Sequence, residues 1–359
     1  MAAIPTPPTI VPVGREFPWG SREDTHMVFA GLQSRCLYHL LAVHIKAISS
    51  GIPGMGVADI CPMLPKDQLI SDVSEVTTVE RGRVAEILGA LTYGIGTETP
   101  DPALQPVISI WGRFLLVPAI LLLSSNFPRN LLSLHARVDS RSFDGQSHLF
   151  EDQMSAHVEQ AVRNRFPRFW THKFLPDRNH VGEVDLLVVD ESTKTILLGE
   201  LRWLLAPGDP REVNNRKKVC GEKVVQLRKK VVAAREVMAQ VLRSFQVGND
   251  HTAWNVAGVV IVDGYTALGA EPRELPVVPR QIFQIGLSRC KGLNELHAWL
   301  CSHKWLPQER THFVSGRARA QFGPQRLEWG TFGVLRQQVY FPDYVERTIK
   351  ALHAALESH

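Results

Sequence analysis

The sequence predicts an α/β protein built around a β-hairpin with helices on either side. Residues 182–190 (GEVDLLVVD) and 195–203 (TILLGELRW) are apolar runs with the length of buried strands. The four polar residues between them, 191–194, join the two runs closely enough for them to pair as a hairpin. Helical patterns precede and follow the hairpin, and this order of elements is typical of a layered α/β core.

The elements that flank the hairpin follow from the spacing of apolar residues. Apolar residues in the segment after the hairpin recur at alternating steps of three and four, which predicts one long helix with a core-packing stripe. Two further apolar segments have strand length. The predicted elements are a helix at 150–166, a helix at 212–245, and strands at 256–262 and 277–285.

The remaining segments are predicted from capping and turn residues. A capped helix is expected from Ser21, a glycine- and proline-rich loop at 51–65 and a second helix at 79–91. After the core we expect a helix at 293–301, a basic, glycine-containing segment at 315–330 and a final helix at 344–356. The predicted domains are a proline-rich tail at 1–20, a mixed helical and strand region of unknown role at 21–140, the core at 141–290 and a C-terminal extension at 291–359.

The composition predicts a soluble globular protein of two or three domains, with 359 residues, 44% hydrophobic and 21% charged. The formal net charge of +4 makes the chain only mildly basic, which is compatible with an acidic partner but does not identify one. The five cysteines are scattered and share no CxxC or Cys/His spacing. This argues against a disulfide framework and a structural zinc site, and favours reduced thiols in a cytoplasmic protein.

The sequence predicts no membrane partner. The proline-rich start lacks a basic segment followed by an apolar one, so it is not expected to be a signal peptide. The membrane candidate is 107–123 (VISIWGRFLLVPAILLL), which is shorter than the roughly 20 residues of a membrane span. Arg113 and Pro118 interrupt it. We expect a pair of buried strands, or a strand and a helix, at this segment.

Asp185 interrupts the apolar run of the first hairpin strand. An unpaired carboxylate is costly in a buried strand, so Asp185 either meets a cation or strong donors or faces solvent at the strand end. In the second strand, Glu200 shares a face with Leu198 and Arg202, because side chains alternate. The hairpin brings Glu200 near Asp185, and neighbouring strands lie roughly 4.8 Å apart. Both carboxylates can therefore converge on one divalent cation, a surface charge lattice being the alternative that the apolar flanks disfavour.

Asp185, followed after fourteen residues by Glu200-Leu201-Arg202, resembles the motif of the PD-(D/E)XK nuclease superfamily, which includes restriction endonucleases. That family carries an acid in one strand and an E-x-K segment in the next. The bare pattern is common, and its specificity here comes from the apolar runs on both sides. The resemblance covers residues from about 150 to 290. It implies a restriction-endonuclease-like core of helix, β-hairpin, helix and two strands.

Two helix residues extend the resemblance. The family often has an acid on the helix before the hairpin, and Glu151 occupies a similar place, with Glu159 as a less favoured candidate. The family also often has a glutamine on the helix after the hairpin, and Gln226 is similar. Each residue alone is equally typical of a solvated helix surface.

Arg202 stands where the family has lysine. Arginine keeps its proton at any ordinary pH, so it cannot act as a general base, although it can grip phosphate. Three interpretations stay open: Arg202 positions water and phosphate in an active variant, a lysine of the next helix such as Lys218 or Lys223 takes the role, or the site binds without cleaving.

The resemblance implies hydrolysis of phosphodiesters, most simply in DNA, with Mg²⁺ or Mn²⁺ as cofactor. The implied metal ligands are Asp185, Glu200, the carbonyl of Leu201 and Glu151, and the implied catalytic residues are Asp185, Glu200, Arg202, Glu151 and Gln226. Arg202 would stabilise negative charge on the phosphate, and Gln226 would orient water.

Basic residues are concentrated after the hairpin. Between Arg211 and Arg243, ten basic residues and three acids leave a local charge of +7, against +4 for the whole chain. Such a face is expected to bind phosphates, or else is a solvated helix surface. The predicted nucleic-acid contacts are Lys218, Lys223, Arg228, Lys230, Arg317 and Arg319, the last two beside aromatic residues that can stack on bases.

The hypothesis from the sequence is a metal-dependent deoxyribonuclease. The alternative is a catalytically degenerate module of the same fold that binds nucleic acid or a protein partner without cleavage. A third hypothesis is a membrane-associated adaptor that uses residues 107–123. The region at 21–140 is a candidate for recognising substrate or docking a partner protein.

Overall fold

The computed structural model describes residues 11–51, 56–177, 181–207, 210–247, 254–263, 274–306, 309–310, 313–322 and 324–334. The chain is an α/β protein whose largest sheet is mixed, which agrees with the predicted α/β class. It forms two compact units with the division between Gln153 and Met154. We call them the N-terminal unit and the C-terminal unit.

Helices make up most of the N-terminal unit. The first begins where predicted, because the Ser21 hydroxyl oxygen accepts a 3.0 Å hydrogen bond from the backbone N–H of Asp24 and so caps the helix. The helices are α1 (Arg22–Ser49), α2 (Val57–Ile60), α3 (Lys66–Thr77), α4 (Arg81–Ala90), α5 (Ala119–Ser124), α6 (Phe127–Val138) and α7 (Ser140–Gly145). α3, α6 and α7 were not predicted, although the buried residues Leu69, Ile70 and Val73 of α3 have helical spacing.

The strands of the N-terminal unit are short. They are β1 (Glu16–Phe17), β2 (Gly20–Ser21), β3 (Met63–Pro65), β4 (Ile108–Ile110) and β5 (Phe114–Leu116). β1 pairs with β2, and the other three form an antiparallel sheet in the order β3-β5-β4. Residues 107–123 thus form two strands and α5, short elements of the predicted kind. Within the described residues, none of the helices has the length and apolarity needed to cross a bilayer.

The C-terminal unit is built on a five-stranded mixed sheet. Its strands are β6 (Phe169–Phe174), β7 (Glu183–Asp190), β8 (Thr195–Trp203), β9 (Asn255–Asp263) and β10 (Val277–Pro279), in the order β10-β9-β8-β7-β6. β7 runs antiparallel to both of its neighbours, β6 and β8, whereas β8, β9 and β10 run parallel to one another. The helices are α8 (His148–Arg163), which crosses the division between the units, α9 (Pro210–Glu236), α10 (Met238–Ser244), α11 (Arg280–Arg289) and α12 (Leu293–Cys301).

Each face of this sheet is covered by a separate hydrophobic cluster. On one face, Leu227 and Val231 of α9 pack with Ile196 and Leu198 of β8. On the other face, residues of α8, α11 and α12 pack with Leu197 of the same strand and with its neighbours. Alternate residues of β8 therefore enter opposite clusters, as expected for a sheet buried on both sides.

The hairpin forms at the predicted residues, and Asp190 fixes its turn. The Asp190 carboxylate accepts hydrogen bonds from the backbone N–H of Ser192 at 3.0 Å and from the Thr193 hydroxyl at 2.6 Å. It also accepts one from the backbone N–H of Leu293 at 2.9 Å, at the start of α12. Burial opposes ionisation of Asp190, but these hydrogen bonds outweigh it and lower the pKa of the carboxyl. One side chain thus shapes the turn and fixes a helix against it.

Two predictions for the core were wrong in detail, and one strand was missed. The strand predicted at 277–285 ends at Pro279, and α11 follows, because Ile282, Phe283, Gly286 and Leu287 form a helical stripe. The long helix predicted at 212–245 is interrupted at Val237, between α9 and α10. The edge strand β6 was not predicted. The strand at 256–262 and the helix at 293–301 are confirmed by β9 and α12.

The basic segment predicted at 315–330 forms an antiparallel ribbon of β11 (Phe313–Phe322) and β12 (Gln325–Val334). Ten residue pairs are in register along it, from Phe313 opposite Val334 to Phe322 opposite Gln325. The proline-rich start at 1–10 and the final helix predicted at 344–356 lie outside the described residues.

Candidate active site

Asp185 and Glu200 occupy facing positions at the open end of the hairpin. The last pair of the β7–β8 ladder is Leu186 with Gly199, and the next position in the same register is Asp185 with Glu200. Directly opposed residues of antiparallel strands present their side chains on the same face. The two predicted metal-binding acids therefore lie side by side, on the face of β8 that α9 covers.

The carboxylate of Asp185 explains why the ladder stops there. Its Oδ2 accepts a hydrogen bond of 2.7 Å from the backbone N–H of Leu201, so a side chain serves as acceptor where a β7 carbonyl would otherwise do so. The N–H and C=O of one strand residue point to the same side of the strand. The Leu201 carbonyl is therefore also directed toward β7 and the Asp185 carboxylate.

Glu200 is fully buried, at 0% exposure, and two lysines of α9 neutralise it. Lys223 Nζ lies 3.2 Å from Oε2 of Glu200, and Lys230 Nζ contacts Oε1. Lys230 also donates a hydrogen bond to the backbone carbonyl of Glu183. A buried carboxylate without such partners would cost several kcal/mol, so the lysines make the position of Glu200 tenable.

The pKa of Glu200 lies above its ordinary value. Burial is the main cause, and the neighbouring carboxylate of Asp185 raises the pKa further. The hydrogen bond and charge of Lys230, and the charge of Lys223, act in the opposite direction. Asp185 is therefore close enough to Glu200 to act on its ionisation.

Helical spacing places both lysines on the sheet side of α9. Lys223 and Lys230 lie two turns apart, beside Val224, Leu227 and Val231, which are buried in the core under the sheet. Long lysine stems can cross apolar surface while the ammonium reaches a polar partner. Lys230 was predicted to contact phosphate. The structure corrects this, because Lys230 is 6% exposed and its ammonium is directed at Glu200.

The other predicted site residues are more peripheral. Arg202 follows Glu200 on the same face of β8, opposite Val262 of β9, and it is exposed. Gln226 is exposed on α9. Glu151 is half-buried in the first turn of α8 and belongs to the N-terminal unit. Glu159 pairs with Arg163 on the same helix.

His172 lies next to Asp185 in strand register and was not predicted, and its ring contacts Ser155 of α8 and Glu183. It occupies the β6 position opposite Asp185, between the pairs Thr171–Leu186 and Lys173–Val184, and its φ of 52° interrupts the ladder. Its Nε2 lies 2.9 Å from the Ser155 hydroxyl and its Nδ1 lies 3.0 Å from Glu183 Oε1. A left-handed histidine has no sequence signature, so the residue could not be identified from its neighbours in the chain.

Part of the predicted basic surface is available to a ligand. Lys218 is exposed on α9, close along the helix to Lys223. Arg228 is also exposed and lies 3.6 Å from Glu274. On the β11–β12 ribbon, Arg317 and Arg319 both reach the carboxylate of Glu328, at 2.9 and 3.1 Å. Each of these arginines is more than half exposed, so the shared acid orients them without burying them.

The donor set at the hairpin suits a magnesium ion that substrate and water help to hold. In the described part of the chain, no group of three or more His, Cys, Asp and Glu side chains is arranged around a metal position. Asp185, Glu200 and the Leu201 carbonyl nevertheless offer oxygen donors, and Mg²⁺ usually keeps several waters and binds substrate phosphate. Each carboxylate oxygen that accepts from a lysine retains a further lone pair. The residues therefore supply oxygen donors of the kind that Mg²⁺ binds, with Glu200 the more enclosed of the two acids and both of its oxygens in contact with lysines.

In comparisons with protein-family models, with curated proteins and with solved structures, nothing was found to match the chain.

Proposed function

We propose that the protein is a metal-dependent nuclease that hydrolyses phosphodiester bonds, with DNA as the expected substrate. The observation that carries the proposal is the facing pair Asp185 and Glu200, with the carbonyl of Leu201 directed to the same place. Two carboxylates and a carbonyl at the end of a buried hairpin form a set of oxygen donors of the kind that Mg²⁺ binds.

The order of elements supports a restriction-endonuclease-like core. A helix (α8), the β7–β8 hairpin, a helix (α9) and the strands β9 and β10 follow one another as the resemblance to PD-(D/E)XK nucleases requires. The differences are an additional edge strand, β6, before the hairpin and the shortness of β10. Neither changes the position of the hairpin in the middle of the sheet.

The proposed roles follow from the contacts of each residue. Asp185, Glu200 and the Leu201 carbonyl would hold the ion, which when bound supplies polarisation of the phosphate and a more acidic water. The hydrogen bond from the Leu201 N–H holds Asp185 in place before any ion arrives. Arg202, exposed at the end of the same strand face, would bind the phosphate of the substrate.

Lys223 is the best candidate for the lysine that Arg202 replaces in the motif. Its ammonium lies 3.2 Å from Glu200, and its side chain is 23% exposed, so it is open to a ligand at the site. Lys230 is 8% exposed on the same scale and more suited to neutralising Glu200. This favours the interpretation in which a helix lysine acts beside the acids while Arg202 contributes charge.

A second candidate function is binding without cleavage. The observation that favours it is the burial of Glu200, both of whose oxygens are engaged by lysines. A buried ion cluster of this kind can also serve only to specify the fold. In that case the exposed basic residues Lys218, Arg317 and Arg319 would bind nucleic acid by charge alone.

Cleavage of plasmid DNA by the purified full-length chain tests the proposal. We expect nicking with Mg²⁺ or Mn²⁺, none with a chelator, and at least about a hundredfold loss of rate in Asp185→Asn and Glu200→Gln. Glu222→Gln is the matched control, because Glu222 is exposed on α9 and lies outside the site. Lys223→Met and Arg202→Met, compared at saturating DNA concentration, distinguish the roles of the two cations, because the residue that acts in the chemical step is the one whose loss lowers the rate at saturation.

Two outcomes would contradict the proposal. Absence of cleavage of double-stranded DNA, single-stranded DNA and RNA, by protein that is folded and binds them, supports a binding module. Cleavage that survives Asp185→Asn and Glu200→Gln would locate the chemistry elsewhere. The salt dependence of nucleic-acid binding tests the β11–β12 ribbon separately. In the Arg317→Ala/Arg319→Ala double variant, each lost phosphate contact should reduce the slope of log binding constant against log salt concentration by about one.

A further inference from the structure

The second half of α1 carries two apolar stripes, and one of them is covered by the protein itself. The inner stripe is buried or half-buried and consists of Cys36, Leu40, Val43 and Ala47. The outer stripe consists of Tyr38, Leu41, Ile45 and Ile48, which are 69, 55, 57 and 67% exposed. A surface helix needs one apolar face to attach it to its core, so the outer stripe is an additional one.

The outer stripe has the spacing of a helix-pairing seam. From Tyr38 to Ile48 its residues follow one another at steps of three, four and three, which are the a and d positions of a heptad. Large aliphatic side chains at these positions interlock with those of a second helix. The stripe therefore fits a partner helix better than an extended peptide or a flat surface.

We propose that the outer stripe of α1 is the contact between two copies of this chain, which pair α1 against α1 about a twofold axis. A twofold contact places each surface opposite itself, so like charges on it would repel. Between residues 37 and 49, Lys46 is the sole Lys, Arg, Asp or Glu, and it lies off the stripe. A partner selected by charge would require charged residues beside the seam, and the sequence has none at those positions.

The surrounding surface enlarges the apolar area. Leu37 is 61% exposed at the edge of the stripe, and Ile120 and Leu121 of the adjacent α5 are 52 and 37% exposed. α5 is attached to α1 by the hydrogen bond of 3.2 Å from Gln33 to the carbonyl of Leu122. With the stripe, these make seven apolar side chains. If each side chain exposes roughly 100 Å², the seven form an apolar area large enough for the centre of an interface of about 800 Å² per partner.

A lipid surface is a poorer partner for this helix. Helices that lie in a membrane interface oppose their apolar face with a polar face rich in lysine and arginine. Here the inner side of α1 packs on its own unit, and the exposed half carries one lysine. Vesicle binding is therefore the competing outcome of the test.

The mass of the intact chain in solution tests the proposal. In sedimentation velocity over roughly a hundredfold range of concentration, we expect the 40.2 kDa chain to reach the mass of a dimer. The double variant Leu41→Glu/Ile45→Glu should weaken the dimer by at least about a hundredfold in Kd, because it buries like charges at the seam. Val76→Glu is the matched control, as Val76 is 70% exposed on α3, away from the stripe.

A second measurement covers the case in which the double variant folds poorly. Ala42→Cys introduces a thiol on the exposed side of α1 beside the stripe, and a short bismaleimide should join two copies through it, above the background of the parent protein. A wild-type monomer at every concentration, a dimer that persists unchanged in Leu41→Glu/Ile45→Glu, or a monomer that binds anionic vesicles would each overturn the proposal. The inference is independent of whether Asp185 and Glu200 form a catalytic site.

Discussion

Lys230 and Glu200 form an ion pair in which neither side chain is more than 8% exposed. The pair links the middle of α9 to the β8 strand, at the point where the hairpin ladder ends. Lys223 approaches the second oxygen of the same carboxylate from a position nearer to solvent. The buried acid therefore has one enclosed partner and one accessible partner, and the two lysines are expected to differ in their effects.

Lys230→Met should destabilise the protein by about 3 kcal/mol, because it removes the enclosed partner of a buried carboxylate. Lys223→Met should cost about 1 kcal/mol, since Lys223 is 23% exposed and water can replace part of its contact. Urea unfolding measures both, with Lys229→Met on the exposed side of α9 as control, expected within about 0.5 kcal/mol of the parent. Equal losses for Lys230 and Lys223 would contradict this division of roles.

Glu200 should make stability fall as pH rises. Its pKa is raised in the folded state, so between the ordinary value of 4.5 and the raised value the folded protein holds a proton that the unfolded chain has released. The contribution of Glu200 is therefore largest below pH 4.5 and is lost as pH passes the folded pKa. The measurement is the unfolding free energy of the parent minus that of Glu200→Gln, across this interval. A difference that grows with pH would show that the lysines, rather than burial, dominate the titration.

Asp190 should act in the opposite direction. Its pKa is lowered in the folded state, so its contribution is present above the ordinary value of 3.8 and is lost as pH falls through the folded pKa. Asp190→Asn should cost about 2 kcal/mol at neutral pH, because the donors of Ser192, Thr193 and Leu293 lose a charged acceptor. The loss of stability caused by Asp190→Asn should be smaller at acidic pH. A cost that is the same at both pH values would mean that the charge of Asp190 is unimportant.

His135 in the N-terminal unit gives a third pH signature. Burial lowers its pKa from 6.5 to about 4, with a further contribution from the nearby Arg15. The folded protein favours the neutral ring, so stability should fall by about 3 kcal/mol as pH drops from 6.5 to 4. His135→Phe keeps an aromatic ring among Phe17, Trp19 and Phe143 and should flatten this slope. The measurement is unfolding followed by tryptophan fluorescence at a series of pH values. If the dependence of stability on pH is unchanged in His135→Phe, this histidine is not its cause.

The core was predictable where local sequence and tertiary packing agree. The β7 and β8 strands are continuous apolar runs around a polar turn, and α12 has a clear stripe, so these elements were found within a residue or two. The prediction failed at α11, because VVPRQIFQI is apolar enough to suit a strand. Pro279, which lacks an N–H and suits a helix start, was the signal that was missed.

The pairing of Asp185 with Glu200 was inferred from strand alternation and turn length alone. The role of Lys230 was not, although a signal was present. Lys230 lies between Leu227 and Val231 on the core stripe of α9, and a lysine in such a position needs a buried anion. Glu200 lies in an apolar strand in which Arg202 is the other charged residue, so Glu200 needs a buried cation. The periodicity of the sequence assigns Lys230 and Glu200 each to a face of its own element. It does not predict that α9 crosses β8 at Glu200, because that depends on packing between distant segments.

Asp185→Asn should separate the chemical role of Asp185 from its structural one. The asparagine carbonyl can still accept the hydrogen bond from the Leu201 N–H, so the end of the hairpin should stay closed and stability should change by less than about 1 kcal/mol. The loss of the negative charge removes one of the causes that raise the pKa of Glu200, which should therefore titrate closer to its ordinary value. Metal-dependent cleavage should disappear at the same time.

Asp185→Ala provides the contrast for that variant, because it also removes the acceptor and leaves the Leu201 N–H unpaired. It should cost a further 1–3 kcal/mol, roughly the penalty for an unsatisfied donor in a part-buried position. Hydrogen exchange at Leu201 should be slow in the parent and in Asp185→Asn, and fast in Asp185→Ala. Exchange that is equally fast in both variants would mean that the negative charge, rather than the presence of an acceptor, holds the hairpin end closed, and that the fold and the proposed chemistry depend on the same property of Asp185.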